Sequence, residues 1–270
     1  MNEVAPRSVQ GDRILVALDA SPHSIAALKA AVELAALLEV ELEALFVEDI
    51  NLLRLCSLPF SQEIGSYSGR PRPLDNSQME RQLRTLAGMI ERTVSQVTLR
   101  TPVRWRFQVR RGAVVEELLA AAQQAALLSL GRAGRARRKT LGSTAQSLVR
   151  QSPRPLLILG EDGGLRDPLT VVYTGSPAAQ RAVNLAARLA ERGKRLVQVL
   201  LWRAKPAEQE GDHPEVEARI LLGDVAGNLR LVTWRELVEI LNTRDGGTLI
   251  LPNEHAALMS EFDGPTILVP

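Results

Sequence analysis

The sequence predicts an α/β fold built as two tandem, doubly wound, five-stranded parallel-sheet domains. Three observations predict it. Short aliphatic runs bounded by turn residues alternate with longer stretches of helical periodicity, the pattern of strands buried on both faces and the helices that cover them. Aromatic residues make up only 3% of the 270 residues, so the cores must come from Leu, Val, Ile and Ala, which suits helices packed on a parallel sheet. The pattern that opens near residue 14 restarts near residue 169.

The elements follow in order. Ile14 to Leu18 is wholly apolar and ends in the turn Asp19-Ala-Ser-Pro22, a first strand. Ser21 is placed to cap the next helix with Pro22 at its first position, and Ala26, Ala30, Leu34 and Leu37 recur at helical spacing as far as Leu38. Val40 to Val47 forms the second strand. Residues 48–78 look irregular, with Pro59, Gly65, Gly69, Pro71 and Pro73, and are expected to be a lid, a binding loop or disordered. Met79 to Val97 is helical, Val103 to Val109 a strand, Val114 to Ala126 a helix and Leu127 to Leu130 a strand ending at Gly131. After a basic loop, Ser143 to Gln151 is a short helix and Pro155 to Leu159 a fifth strand.

Gly160 to Pro168 reads as a linker, dividing the chain into domains 1–160 and 161–270. Beyond it, Leu169 to Pro177 aligns without gaps on Ile14 to Pro22, and the same 155-residue offset pairs Ala27 with Ala182, Leu34 with Leu189 and Ala35 with Ala190. Farther on, Val115 to Leu119 matches Leu237 to Leu241, and Pro155 to Leu159 matches Pro265 to Val269. The offset shrinks along the way, so the second copy has lost residues, mainly from the long loop and from the segment between its fourth and fifth strands.

Composition excludes several function classes. A single cysteine, Cys56, allows no internal disulfide, and three histidines with no Cys/His cluster leave no zinc motif. A net charge of +2 is too mild to call for nucleic acid, and no aromatic residues interleave with the basic ones. No apolar run is long enough to span a bilayer and the amino terminus is no secretory signal, so a cytoplasmic protein without membrane partners is expected. No nucleophile elbow, Walker loop or Gly-x-Gly-x-x-Gly is present, and the adjacent Glu116 and Glu117 do not share a helix face; no catalysis is expected.

Open parallel sheets bind ligands beyond the carboxyl ends of their strands. There the first copy gathers Asp19 after strand one, Val47 ending strand two, Gly131-Arg132-Ala133-Gly134 after strand four, and Gly142-Ser143-Thr144 opening a helix. Glycines let a backbone approach a phosphate, a helix amino terminus offers free N–H groups, and Ser143 and Thr144 add hydroxyls. Arg132, Arg135, Arg137, Arg138 and Lys139 crowd the loop between. The combination is a phosphate cradle.

An Asp after strand one, a Gly-x-x-Gly after strand four, and a Gly-Ser ahead of a short helix and a Pro-Leu-Leu-Ile strand resemble the universal stress protein family, whose fold is shared with adenine nucleotide alpha hydrolases. The resemblance covers about residues 12–160 and 167–270, and the tandem form is known in the family. It implies a stress-response protein that binds ATP or AMP, with Mg2+ compatible with ATP, without robust turnover. Carried over residue by residue, it implicates Ala17, Asp19, Val47, Leu130, Gly131, Arg132, Gly134, Gly142, Ser143 and Thr144. It also implies that the two halves pair as an intramolecular pseudo-dimer, and further homodimerisation is compatible with that. The sequence departs from the family pattern in one place: positions 135–141 supply seven residues between the second glycine and the Gly-Ser, where the family has nine. In the second copy Thr174 stands for Asp19, Pro252 for Gly131, and no Gly-Ser precedes Pro265, so no nucleotide is expected there.

Plainer alternatives stand beside these expectations. The glycines could be ordinary turn residues, the Arg-rich loop a solvated one, and Asp19 a cap for the turn before the first helix. His23 is expected to be exposed, and Cys56 to be a packed thiol. An interaction or adaptor protein with an empty site is the main functional rival, and a slow ATP hydrolase is the enzymatic one.

Overall fold

The computed structural model describes residues 13–58, 62–64, 71–73, 75–132, 141–161, 163–202, 214–225, 227–242 and 247–270. The first half runs β1 (Arg13–Leu18), α1 (Pro22–Leu38), β2 (Glu41–Asp49), α2 (Ile50–Cys56), β3 (Gln62–Ile64), β4 (Pro71–Pro73), α3 (Asn76–Thr98), β5 (Trp105–Gly112), α4 (Val114–Ala122), β6 (Leu127–Gly131), α5 (Ser143–Gln151) and β7 (Leu156–Leu159). The second half runs β8 (Leu169–Tyr173), α6 (Pro177–Gly193), β9 (Val197–Trp202), α7 (Pro214–Leu222), β10 (Gly227–Val232), α8 (Trp234–Asn242), β11 (Thr248–Pro252), a 3-10 helix (Asn253–Glu261) and β12 (Thr266–Val269).

The two halves share one continuous ten-stranded sheet in the order β10-β9-β8-β11-β12-β7-β6-β1-β2-β5. Each half has the same internal order, and the halves meet edge to edge where β7 and β12 run antiparallel, Leu157 opposite Ile267. The neighbouring pairs within each half are parallel. That junction removes one open edge from each half, an edge that would otherwise present unpaired backbone groups. The sequence spoke for two sheets and could not reveal their fusion, because β7 and β12 are too short and too uniformly apolar to advertise a partner.

Strand residues alternate between two cores. Ile14, Val16, Leu42 and Phe46 face the layer of α1, α3, α6 and α7; Leu15, Leu45, Leu128 and Leu130 face α4, α5, α8 and the 3-10 helix. Across the junction α1 packs on α6 and α5 on the 3-10 helix, so each layer closes over the seam. The internal repeat extends to the caps. Ser21 Oγ accepts from Ser24 N and Ser176 Oγ from Ala179 N, and both helices end on a left-handed residue, Glu39 and Lys194. These pairs keep the 155-residue offset of the strands.

The stretch expected to be irregular contains α2, a helix capped by Asp49, whose Oδ1 accepts from Asn51 N at 2.9 Å, and the short antiparallel pair β3–β4. Cys56, at the end of α2, is buried as expected. His23 is not exposed: it is 9% accessible, because the linker after β7 runs over the first turn of α1 and brings Glu161 Oε1 within 3.7 Å of His23 Nε2. Gly163 packs so closely on that helix that a Cβ there would lie 2.7 Å from the Ala26 methyl.

Candidate nucleotide-binding cleft

In the first half β1 sits between β6 and β2, so the chain reverses direction of travel at the β1/β6 boundary, the place where the carboxyl ends of a parallel sheet open into a crevice. A cleft of about 1240 Å³ lies there. Ala17, Asp19, Val47, Leu130, Gly131, Arg132, Gly142, Ser143 and Thr144 all line it, nine of the ten residues singled out from sequence. The tenth, Gly134, lies outside the described residues, as do Arg135, Arg137, Arg138 and Lys139.

The anion-facing part is built by α5. Gly142 is its N-cap in extended conformation (φ −63°, ψ 158°) and brings no side chain to bond the first turn. The first bond of the helix runs from Gln146 N to Gly142 O at 2.9 Å, so the earlier amides of the turn point outward without a cap. Gly142 N itself donates to Arg132 O at 2.9 Å, closing the neck of the loop, and Arg132 N donates to Leu159 O at 2.7 Å.

Arg132 is the one basic residue of that loop within the described residues. Its guanidinium is buried and turned toward the second half: Nη2 donates to Phe262 O at 2.7 Å, and Nη1 lies 3.5 Å from Asp263 Oδ1. Burial pushes its pKa below the ordinary arginine value and Asp263 partly opposes that; it remains a cation. Its Nε is buried without a hydrogen-bond partner, an open donor on a side chain that borders the cleft.

Two other expected site residues have structural work of their own. Asp19 Oδ1 accepts from Ser21 N at 2.9 Å, stabilising the turn in which Ala20 takes a φ of 61°. Gly131 meets α1 so tightly that a Cβ would fall 2.7 Å from His23 Cβ and 2.8 Å from the His23 carbonyl carbon. Its lack of a side chain is required by packing, before any ligand is considered.

Sequence reasoning missed the opposite wall. On α3 the apolar Met79, Leu83, Leu86 and Met89 line it beside the polar Gln78, Arg81, Gln82 and Thr85, and Leu52 of α2 and Val114 of α4 line it too. A helix from Met79 to Val97 was expected with no face assigned to it; the i, i+4, i+7 spacing of these apolar residues is the signal that could have found one. The acids on the lining are Asp19 and Asp49, and one oxygen of each already holds an amide of its own turn. Among the described residues no group of three or more His, Cys, Asp and Glu is placed to hold a metal ion, and no helix is long and apolar enough to cross a membrane.

In the second half, Thr174 follows β8 where Asp19 follows β1, and Pro252 ends β11 where Gly131 ends β6. The 3-10 helix leads directly into the segment before β12, in the position that α5 occupies in the first half.

Residues 11–160 match the model of the universal stress protein family. Comparison with curated proteins gives no match. Among solved structures, a universal stress protein of Archaeoglobus fulgidus DSM 4304 aligns over 97% of this chain and 99% of its own, at 14% identity with a TM-score of 0.69. A functionally unknown protein of Pseudomonas aeruginosa PAO1 aligns over 96% of this chain and 92% of its own, at 12% identity with a TM-score of 0.55. At such identities the likeness is one of fold. The family model spans more than half of the sequence and the fold agrees along nearly all of it: the chain belongs to the universal stress protein family.

Proposed function

We propose that the first half binds an adenine nucleotide, ATP or AMP, and that the protein works as a cytoplasmic nucleotide sensor in a stress response without robust turnover. One observation carries the reading: nine residues picked for this role from four separate chain segments converge on a single cleft beside an uncapped helix amino terminus. In this reading the phosphates lie against the first turn of α5 with the Ser143 and Thr144 hydroxyls. Asp19 takes the ribose through its second carboxylate oxygen, and the Val47 backbone takes the base. Residues 161–270 serve as a built-in partner that closes the β7 edge, in place of a second chain. Turnover is no part of the proposal: one oxygen of each acid on the lining is held by its own turn, and the other of Asp19 is given to the ribose.

A rival reading is an interaction protein on the same scaffold. It is favoured by the structural duties of Asp19, Gly131 and Arg132, each of which has an explanation that needs no ligand. Mass measurement of small molecules released from freshly purified, denatured protein separates the two, backed by calorimetry with ATP and AMP. Released nucleotide, or a saturable calorimetric signal, supports the first reading; neither supports the second.

A further inference from the structure

The cleft is larger and more apolar than a phosphate cradle requires. Drug-sized ligands occupy pockets of roughly 300–1000 Å³, and this one measures about 1240 Å³. Polar side chains enter it where α5 packs on β7 and α4, and again from α3 through Gln78, Arg81, Gln82 and Thr85. On the α3 side, where that helix packs on β2 and β5, an apolar wall runs beside those polar groups: Met79, Leu83, Leu86 and Met89 span eleven residues, about 15 Å at the helical rise. Methionine side chains adapt to irregular apolar partners. The outer end of that wall stands in water, with Met89 50% and Leu52 of α2 44% accessible although both line the cleft. Leu55, one helical turn beyond Leu52, is 50% accessible as well. Exposed large apolar side chains at and beside the mouth of a cleft mark a surface that the described residues leave uncovered.

We infer that this cleft takes a single-chain amphiphile with a phosphate head, the head at the first turn of α5 and the chain along Met79, Leu86 and Met89. The inference rests on the nucleotide reading only for its anion site; the chain follows the path otherwise given to adenosine and continues past it to the mouth. Nucleotide and amphiphile therefore exclude one another. The protein would report the balance between two phosphate-bearing ligands that differ in the apolar surface they bury.

The test is a calorimetric titration of the full chain with n-alkyl phosphates of increasing length, below their micellar concentrations, each repeated in the presence of saturating ATP. Neutral alkyl glycosides of the same lengths serve as controls. Burying one methylene is worth about 0.8 kcal/mol, or roughly fourfold in affinity. Affinity should rise about two- to fourfold per methylene until the wall is covered, the glycosides should fail, and ATP should displace the phosphates. Met89→Glu and Leu52→Glu, both at solvent-accessible positions, should flatten the rise with chain length while circular dichroism reports an intact fold. Binding that does not strengthen with chain length, equal binding of the glycosides, or a rise untouched by both variants would overturn the inference and leave the nucleotide reading standing if ATP binds. Length-dependent binding of alkyl phosphates with no binding of ATP would uphold the inference and remove the nucleotide reading.

Discussion

The guanidinium of Arg132 donates to the backbone carbonyl of Phe262 at 2.7 Å, across 130 positions of sequence and across the seam between the two halves. The same residue carries the backbone groups that close the neck of the loop before α5, so the foundation of the candidate site is shared with the second half.

Replacing Arg132 with Ala leaves the Phe262 carbonyl without this donor and removes a buried side chain. Hydrogen bonds from charged groups contribute about 1.5–3 kcal/mol, and the loss should fall in that range, measured by urea unfolding. Arg132→Lys should recover little of it, because a single ammonium cannot reach Phe262 and Asp263 with the planar fork that Arg132 uses. Nucleotide affinity should fall in both variants.

Gly131→Ala tests packing apart from ligand binding. The new methyl would meet the backbone of His23 and Ser24, and α1 is held between the sheet, α3 and α6. A cost of about 1–3 kcal/mol is expected, as for overpacked cores, and it should be the same with and without nucleotide. A variant as stable as the parent would mean that α1 yields more easily than its surroundings suggest.

Glycines elsewhere should divide by geometry. Gly247 has a φ of 64°, and a Cβ there would run into the Pro168 carbonyl oxygen, so Gly247→Ala should cost on the order of 3 kcal/mol or more. Gly88 lies inside α3 with nothing within 4 Å of a built Cβ, so Gly88→Ala should stabilise by about 0.5–1 kcal/mol. Thermal unfolding of the two variants should move in opposite directions.

Asp19→Ala separates the turn from the ribose. Loss of the bond from Ser21 N should cost about 1 kcal/mol of stability, whereas loss of a charged contact to a ribose should lower nucleotide affinity about 10- to 100-fold. Calorimetry alongside thermal unfolding reads both quantities; an unchanged affinity would assign Asp19 to the turn alone.

Much of this was legible from residues that act locally. The aliphatic run of β1, the Ser-Pro caps of α1 and α6, and the bounds of α5 follow from periodicity and capping chemistry close to the residues concerned. What escaped depends on distant partners. Arg132 read as one cation of a basic loop because Phe262 is far away in sequence. His23 read as exposed because Gly131 and Glu161, which close on it, lie more than a hundred positions away in sequence. α2 was hidden in a stretch punctuated by prolines, and the Met79 to Met89 face went unassigned because no sequence pattern distinguishes a face that covers a sheet from one that walls a crevice.

The central claim is that one half of a duplicated chain holds a nucleotide. Its most direct test is the stoichiometry of ATP and AMP binding to the intact protein by calorimetry. One nucleotide per chain, lost when Asp19 and Gly142 are both replaced, is the predicted result. Two per chain, or none, would contradict it.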